Sequence, residues 1–119
     1  MTLSPTDPTA EDTRCPLTAA LNAIGGKWAM IALYWIAAAP RRFADMQRLM
    51  PEISAKVLTE TLRDLEAEGL VTRTVISDIP LHVEYALSAH GESVRAIIEA
   101  MRSWGRGHVG RATPTPEAE

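Results

Sequence analysis

Ser54 to Leu70 reads SAKVLTETLRDLEAEGL, and the two ends of this stretch specify a single helix. The Ser54 hydroxyl can accept from an orphan amide of the first turn, and Gly69 can take the left-handed conformation that closes the far end. The spacing predicts a helix from Ala55 to Glu68. Ile53 and Leu58 stand where a hydrophobic staple would form, and Leu65 and Leu70 where a Schellman motif places its apolar contact. At about 100° per residue, Leu58, Leu62 and Leu65 share one stripe, while Lys56, Thr59, Glu60, Arg63 and Ala67 share the opposite one. Such a helix docks by its aliphatic back and offers a polar front to a partner.

Toward the N-terminus, Glu52 and Ile53 make a tight connection to an earlier segment, in which Phe43, Met46, Leu49 and Met50 keep the helical period up to Pro51. Two helices across a turn of three or four residues form a helix-turn-helix candidate. Arg41 and Arg42 precede them as an extended link. Before Pro40 runs WAMIALYWIAAA, apolar on every side and therefore predicted at the centre of the core. Trp28 to Ala39 falls well short of the roughly twenty residues a membrane crossing needs, so no membrane partner is expected. Pro16 suits a first helical position, and Leu17, Ala20, Leu21 and Ile24 give a short amphipathic helix that stops at Gly25 and Gly26.

Toward the C-terminus the period changes. Val71 to Ile76, VTRTVI, is rich in β-branched residues, and HVEYAL sets Val83, Tyr85 and Leu87 on one face. The segment predicts a β-hairpin whose tip, about four residues long, is Ser77, Asp78, Ile79 and Pro80. Ser88 is the expected cap of a last helix, in which Val94, Ile97, Ile98, Met101 and Trp104 repeat at three and four residues until Gly105 and Gly107. The predicted fold class is mainly α with a small β-hairpin: a winged helix-turn-helix with added helices at both ends.

A chain of 119 residues supports one core. Residues 1–14 and 111–119 are rich in Pro, Thr and acids without apolar period, and are expected as disordered tails around a domain of residues 15–110. The formal charge is −3, but leaving out Arg14, Arg111 and the five acids of the tails gives ten basic and ten acidic residues. Charge thus neither excludes nor requires a nucleic-acid partner; what matters is where Lys and Arg cluster. The single cysteine, Cys15, rules out an intrachain disulfide and fits a reducing cytoplasm. No basic segment followed by an apolar run opens the chain, so no signal peptide is expected.

Four pieces carry a resemblance to a known family: CPLTAALNAIGGKW (Cys15 to Trp28), RRFADMQRLMPEIS (Arg41 to Ser54), KVLTETLRDLEAEGLVTR (Lys56 to Arg73) and VEYALSAHG (Val83 to Gly91). In their order and spacing they are similar to the HxlR-type transcriptional regulators, relatives of the MarR-type winged helices. The resemblance covers roughly Cys15 to Gly107. It implies a homodimeric, cytoplasmic regulator of bacterial type that binds double-stranded DNA, with the terminal helices as dimer interface: Leu17, Leu21, Val94, Ile97, Ile98, Met101 and Trp104. Two departures stand out. Ala44 replaces a common capping residue, leaving the first helix of the pair without an N-cap at a cost of about 1 kcal/mol. Pro80, Leu81 and His82 replace the usual Pro, Pro, Arg of the wing, so the wing residues Asp78, Pro80 and His82 lack the customary phosphate contact.

Ser54, Lys56, Thr59, Glu60 and Arg63 are the candidate groove residues, since Arg and Lys suit guanine edges, Thr takes a base or a phosphate, and Glu accepts from cytosine. The competing reading is a solvated face with Lys56 and Glu60 as an i, i+4 ion pair. Arg41, Arg42, Arg48 and Arg73 are candidates for phosphate contacts, with Arg41 and Arg42 first because they adjoin the two-helix unit. Cys15 is the redox-sensing candidate: at a helix N-terminus beside Arg14 its thiolate is favoured, and some family members sense oxidants or electrophiles through a cysteine there. A half-buried structural cysteine is the competing reading. A cavity between the central helix and the dimer helices is the other place for a small-molecule effector. His82, His90 and His108 are too scattered for a metal site, and a Cys15–histidine pair lacks the further groups that catalysis needs, so no metal, cofactor or enzymatic activity is expected. The competing function class is a winged helix that binds protein instead of DNA.

Overall fold

The computed structural model describes residues 15–112, and the segments expected as tails at 1–14 and 113–119 lie outside the described residues. Its elements are α1 (Pro16–Ile24), α2 (Lys27–Ala38), α3 (Phe43–Leu49), α4 (Ala55–Ala67), β1 (Val71–Asp78), β2 (Leu81–Leu87), a 3-10 turn (Gly91–Ser93) and α5 (Val94–Ala112). This is a winged helix-turn-helix, mainly helical, with one antiparallel hairpin.

The ends of α4 close as the residue types require. Ser54 Oγ accepts from Val57 N at 3.1 Å. Gly69, at φ +79°, ends the helix in a full Schellman motif: Leu70 N donates to Leu65 O at 3.0 Å and Gly69 N to Glu66 O at 2.9 Å. The staple residues Ile53 and Leu58 are both buried. Leu58, Leu62 and Leu65 face a core built from Ala32, Leu33 and Ile36 of α2, Met46 and Met50 at α3, Leu70 and Val71 at the wing base, and Val94 and Ile98 of α5. Helix α2 is indeed the central post, although its apolar circumference is not wholly covered: Ile31 is exposed and Trp28 and Trp35 are half-buried.

Three expectations change. The hairpin strands run longer than their β-branched cores, pairing Asp78 with Leu81, so the tip is only Ile79 and Pro80, joined by a cis peptide bond. A register irregularity between Val75 and Ser77 absorbs one residue of β1. The last helix passes through Gly105, Gly107 and Gly110 to Ala112, so its glycines are not stops and Arg111 belongs to it; glycine weakens a helix by about 1 kcal/mol, which flanking turns can offset.

The helix expected to lack a cap has one from an unexpected acceptor. Arg42 occupies the N-cap of α3, and the Asp45 carboxylate, three residues on, accepts from Arg42 N at 2.9 Å while pairing with the Arg48 guanidinium. The hydrogen bond from the Arg42 amide, aided by Arg48, holds the Asp45 carboxyl below its ordinary value. A carboxyl depressed on folding stabilises the native state above its unfolded value and loses that stabilisation as pH falls. Asp45→Ala is therefore expected to cost about 1 kcal/mol in urea unfolding at pH 7. The gap to wild type should narrow below about pH 4, where an unfolded aspartate takes up its proton.

A second close fit locks the wing base to α5. Ser88 Oγ donates to Gly69 O at 2.5 Å and accepts from Gly91 N at 2.8 Å, while Ser88 N donates to Leu70 O at 3.0 Å. Ser88 thus caps the 3-10 turn that leads into α5. Gly91 packs on the same strand entry, where a Cβ would lie 2.0 Å from Leu70 O.

Candidate nucleic-acid interface

The front of α4 is open. Lys56, Glu60 and Arg63, spaced i, i+4 and i+7, form one exposed stripe opposite the buried leucines. Among the described residues no ion pair involves any of the three, so the expected alternative of a Lys56–Glu60 pair is not formed. Two cations stand outside any ion pair on this face, with Glu60 between them. Thr59 differs from its neighbours: it is half-buried and its hydroxyl donates back to Ala55 O at 2.8 Å, so only its oxygen lone pair and methyl remain for a partner. Ser54 spends its hydroxyl on the helix cap.

The two arginines ranked first for phosphate are already engaged. Arg41 is half-buried, its Nε donates to Trp35 O at 2.8 Å, and its backbone bridges Tyr85 in both directions at 2.9 and 2.8 Å. It welds the link before α3 to β2. Arg42 is exposed, yet its Nε donates to His82 Nε2 at 2.7 Å, with a second guanidinium nitrogen 3.0 Å from Nδ1. Glu84 Oε2 lies 3.3 Å from the same Nε2. Arg42 and Glu84 both flank the His82 ring. The residue that replaces a wing arginine thus anchors the wing to the start of α3. Arg73, on exposed β1, has no ion pair among the described residues. Arg48 is engaged with Asp45.

The residues expected at a dimer interface divide. Val94 and Ile98 are 3% and 6% exposed and belong to the protomer's own core, because α5 buries that stripe against α2. Leu17, Leu21, Ile97, Met101 and Trp104 are exposed, and Trp104 stacks on His108 at 4.8 Å between ring centres. Between α2 and α5 lies an apolar groove of about 350 Å³, lined by Met30, Ile31, Tyr34, Ile98, Met101 and Arg102. Cys15 is exposed at the N-cap of α1 in the single chain. Among the described residues no helix is long and apolar enough to cross a membrane.

Asp45, and the Arg42–His82 contact, escaped sequence reasoning. The first had a signal in its three-residue spacing from the N-cap; the second, across forty residues, had none.

Known proteins resemble this arrangement throughout. A family profile described as HxlR-like helix-turn-helix matches residues 23–113. The chain is 41% identical over 93 residues to the HTH-type transcriptional regulator YtcD of Bacillus subtilis (strain 168), covering 78% of this chain and 74% of that protein. A crystal structure of YtcD superposes with a TM-score of 0.76 at 38% identity, over 81% of this chain and 98% of that one. The redox regulator HypR in its reduced form matches with a TM-score of 0.75 at 38% identity, over 78% and 92%. Quinone-bound YodB from B. subtilis matches with a TM-score of 0.67 at 28% identity, over 78% and 99%. The chain belongs to the HxlR-like helix-turn-helix family of transcriptional regulators.

Proposed function

We propose that the chain acts as a homodimeric, sequence-specific repressor of bacterial cytoplasm, residues 15–110 serving as the DNA-binding and dimerisation domain. The observation that carries this reading is the exposed polar stripe of Lys56, Glu60 and Arg63 on α4, in which neither cation is held in an ion pair. Two copies of α4 would enter successive major grooves of a pseudo-palindrome about one helical turn apart. Lys56, Glu60 and Arg63 read base edges, Thr59 offers its methyl and lone pair, Arg73 meets phosphate, and Ser54 holds the helix in register. Arg42 adds a phosphate contact only by leaving His82, and Arg41 supports the interface from within. Asp78, Pro80 and His82 carry and anchor the wing. Leu17, Leu21, Ile97, Met101 and Trp104 supply the subunit contact, since apolar side chains of that size gain most by mutual burial.

Cys15 is the sensor in this reading. Its exposure at the start of α1, and the likeness to the redox regulator HypR and to quinone-bound YodB, support an oxidant or electrophile as effector. Oxidation would join Cys15 to its counterpart in the partner subunit or to a small thiol, and weaken operator binding. The apolar α2–α5 groove is the alternative effector site.

Selection of bound sequences from a random duplex pool, with and without diamide, tests the reading. Wild type is expected to enrich an inverted repeat without oxidant and to lose it with oxidant, whereas Cys15→Ser retains it in both. Enrichment of no sequence, with salt-independent binding to random duplex, favours a protein-binding winged helix, because a DNA reader must release counterions. An identical diamide response in the two proteins ends the role of Cys15.

A further inference from the structure

From Val75 to Leu81 the distal hairpin carries no Lys or Arg, one acid and four large apolar side chains exposed to water. Ile79 at the tip is 91% exposed and Leu81 beside it 69%; Val75 and Ile76 on β1 are also exposed. Two-residue hairpin connections favour Asn-Gly or Asp-Gly, yet the tip here is Ile79-Pro80. A tip built to clamp phosphate would need cations, and Asp78 instead repels phosphate.

The base of the wing is tied to α3 and α4. Arg42 grips His82, Arg41 bridges Tyr85, and β1 leaves α4 directly after Gly69 and Leu70. Only the Asp78–Leu81 rung and the two-residue turn lie beyond the Ser77–His82 rung, so the backbone projects roughly 6–7 Å past its anchor. With the Ile79 side chain added, that reach is comparable to the roughly 7.5 Å depth of a minor groove. Two strands about 4.8 Å apart, with their side chains, are wider than a groove of about 6 Å, so entry requires the groove to open.

Resting on the DNA-binding reading above, we infer that the Ile79–Leu81 tip is an apolar wedge that enters and widens the minor groove beside the recognition half-site. Apolar side chains that enter this way unstack a base step and kink the duplex toward the major groove. Pyrimidine–purine steps yield most easily, so the wing selects flanks by deformability without a hydrogen bond to any base. The contact releases few counterions and is nearly independent of salt.

The test uses the full-length protein and a selected operator whose flanks carry either a TA step or an A-tract. Fluorescence anisotropy measures affinity across salt, and energy transfer between the duplex ends measures the bend. The Ile79→Ala, Leu81→Ala double variant is expected to lose roughly tenfold in affinity on TA flanks, consistent with the worth of burying an isoleucine. Its salt slope should stay that of wild type, while the bend and the TA preference disappear. Ile79→Met, which keeps an apolar wedge, should retain all three properties, and circular dichroism checks that each variant is folded. An unchanged bend and flank preference in the double variant overturns the wedge. So does a loss of dimer mass in that variant, which would assign the tip to a protein contact. A parallel measurement on the Lys56→Ala, Arg63→Ala double variant separates the two levels: full affinity there removes α4 from the groove and with it the frame on which the wedge rests, whereas lost affinity there with an unaffected tip variant sinks the wedge alone.

Discussion

Lys56→Ala and Arg63→Ala are each expected to weaken operator binding about 10- to 100-fold at fixed salt, and the double variant to abolish sequence preference, with fold and subunit association unchanged. Both side chains are exposed and outside any ion pair among the described residues, so truncation removes nothing the native protein uses for stability. Surface changes of this kind usually shift stability by less than 0.5 kcal/mol. A good side-chain-to-base contact is worth about 1–3 kcal/mol, which corresponds to the expected loss. The dimer presents each residue twice, which compounds the effect. Anisotropy titrations against the operator and a scrambled duplex check the expectation, with thermal melts and sedimentation as controls. A loss equal on both duplexes would mean a phosphate contact in place of a base contact. Retained affinity in both variants would remove α4 from the groove.

Gly91→Ala should be the most damaging single methyl in the chain. Its Cβ would stand 2.0 Å from Leu70 O and 3.3 Å from Leu87 Cδ2, where real contacts are never so short. The obstacle is backbone, not a flexible side-chain end. Leu70 cannot retreat, because its amide completes the Schellman motif of α4 and its carbonyl accepts from Ser88 N. The 3-10 turn must then lift off the wing base, taking with it the Ser88 hydrogen bonds and the buried Val94 that follows. Forced overpacking costs about 1–3 kcal/mol, sometimes more. Out of a total of about 5–15 kcal/mol this is a large share. A fall in melting temperature of roughly 8–16 °C is expected for 2 kcal/mol in a domain of this size. An unchanged melting curve would show that the approach of Gly91 to Leu70 is looser than 2.0 Å.

What could be read along the chain was local. Ser54, Gly69 and the leucine stripe announced α4 at both ends, since caps and helical period depend on neighbours three to five residues away. The order of helices, the hairpin and the resemblance to a regulator family followed from the same short-range patterns, and so did the open cationic front of α4. Where two elements meet, reading failed. Val94 and Ile98 share a period with Ile97 and Met101, and only the docking of α5 on α2 decides which of them turn inward. Arg41 and Arg42 are adjacent basic residues in a link, alike in sequence. The fold gives one to the Trp35 carbonyl and the other to His82, forty residues away. Composition and periodicity sum over a residue's own helix or strand, whereas burial and partnership depend on surfaces that come together only when the chain closes on itself.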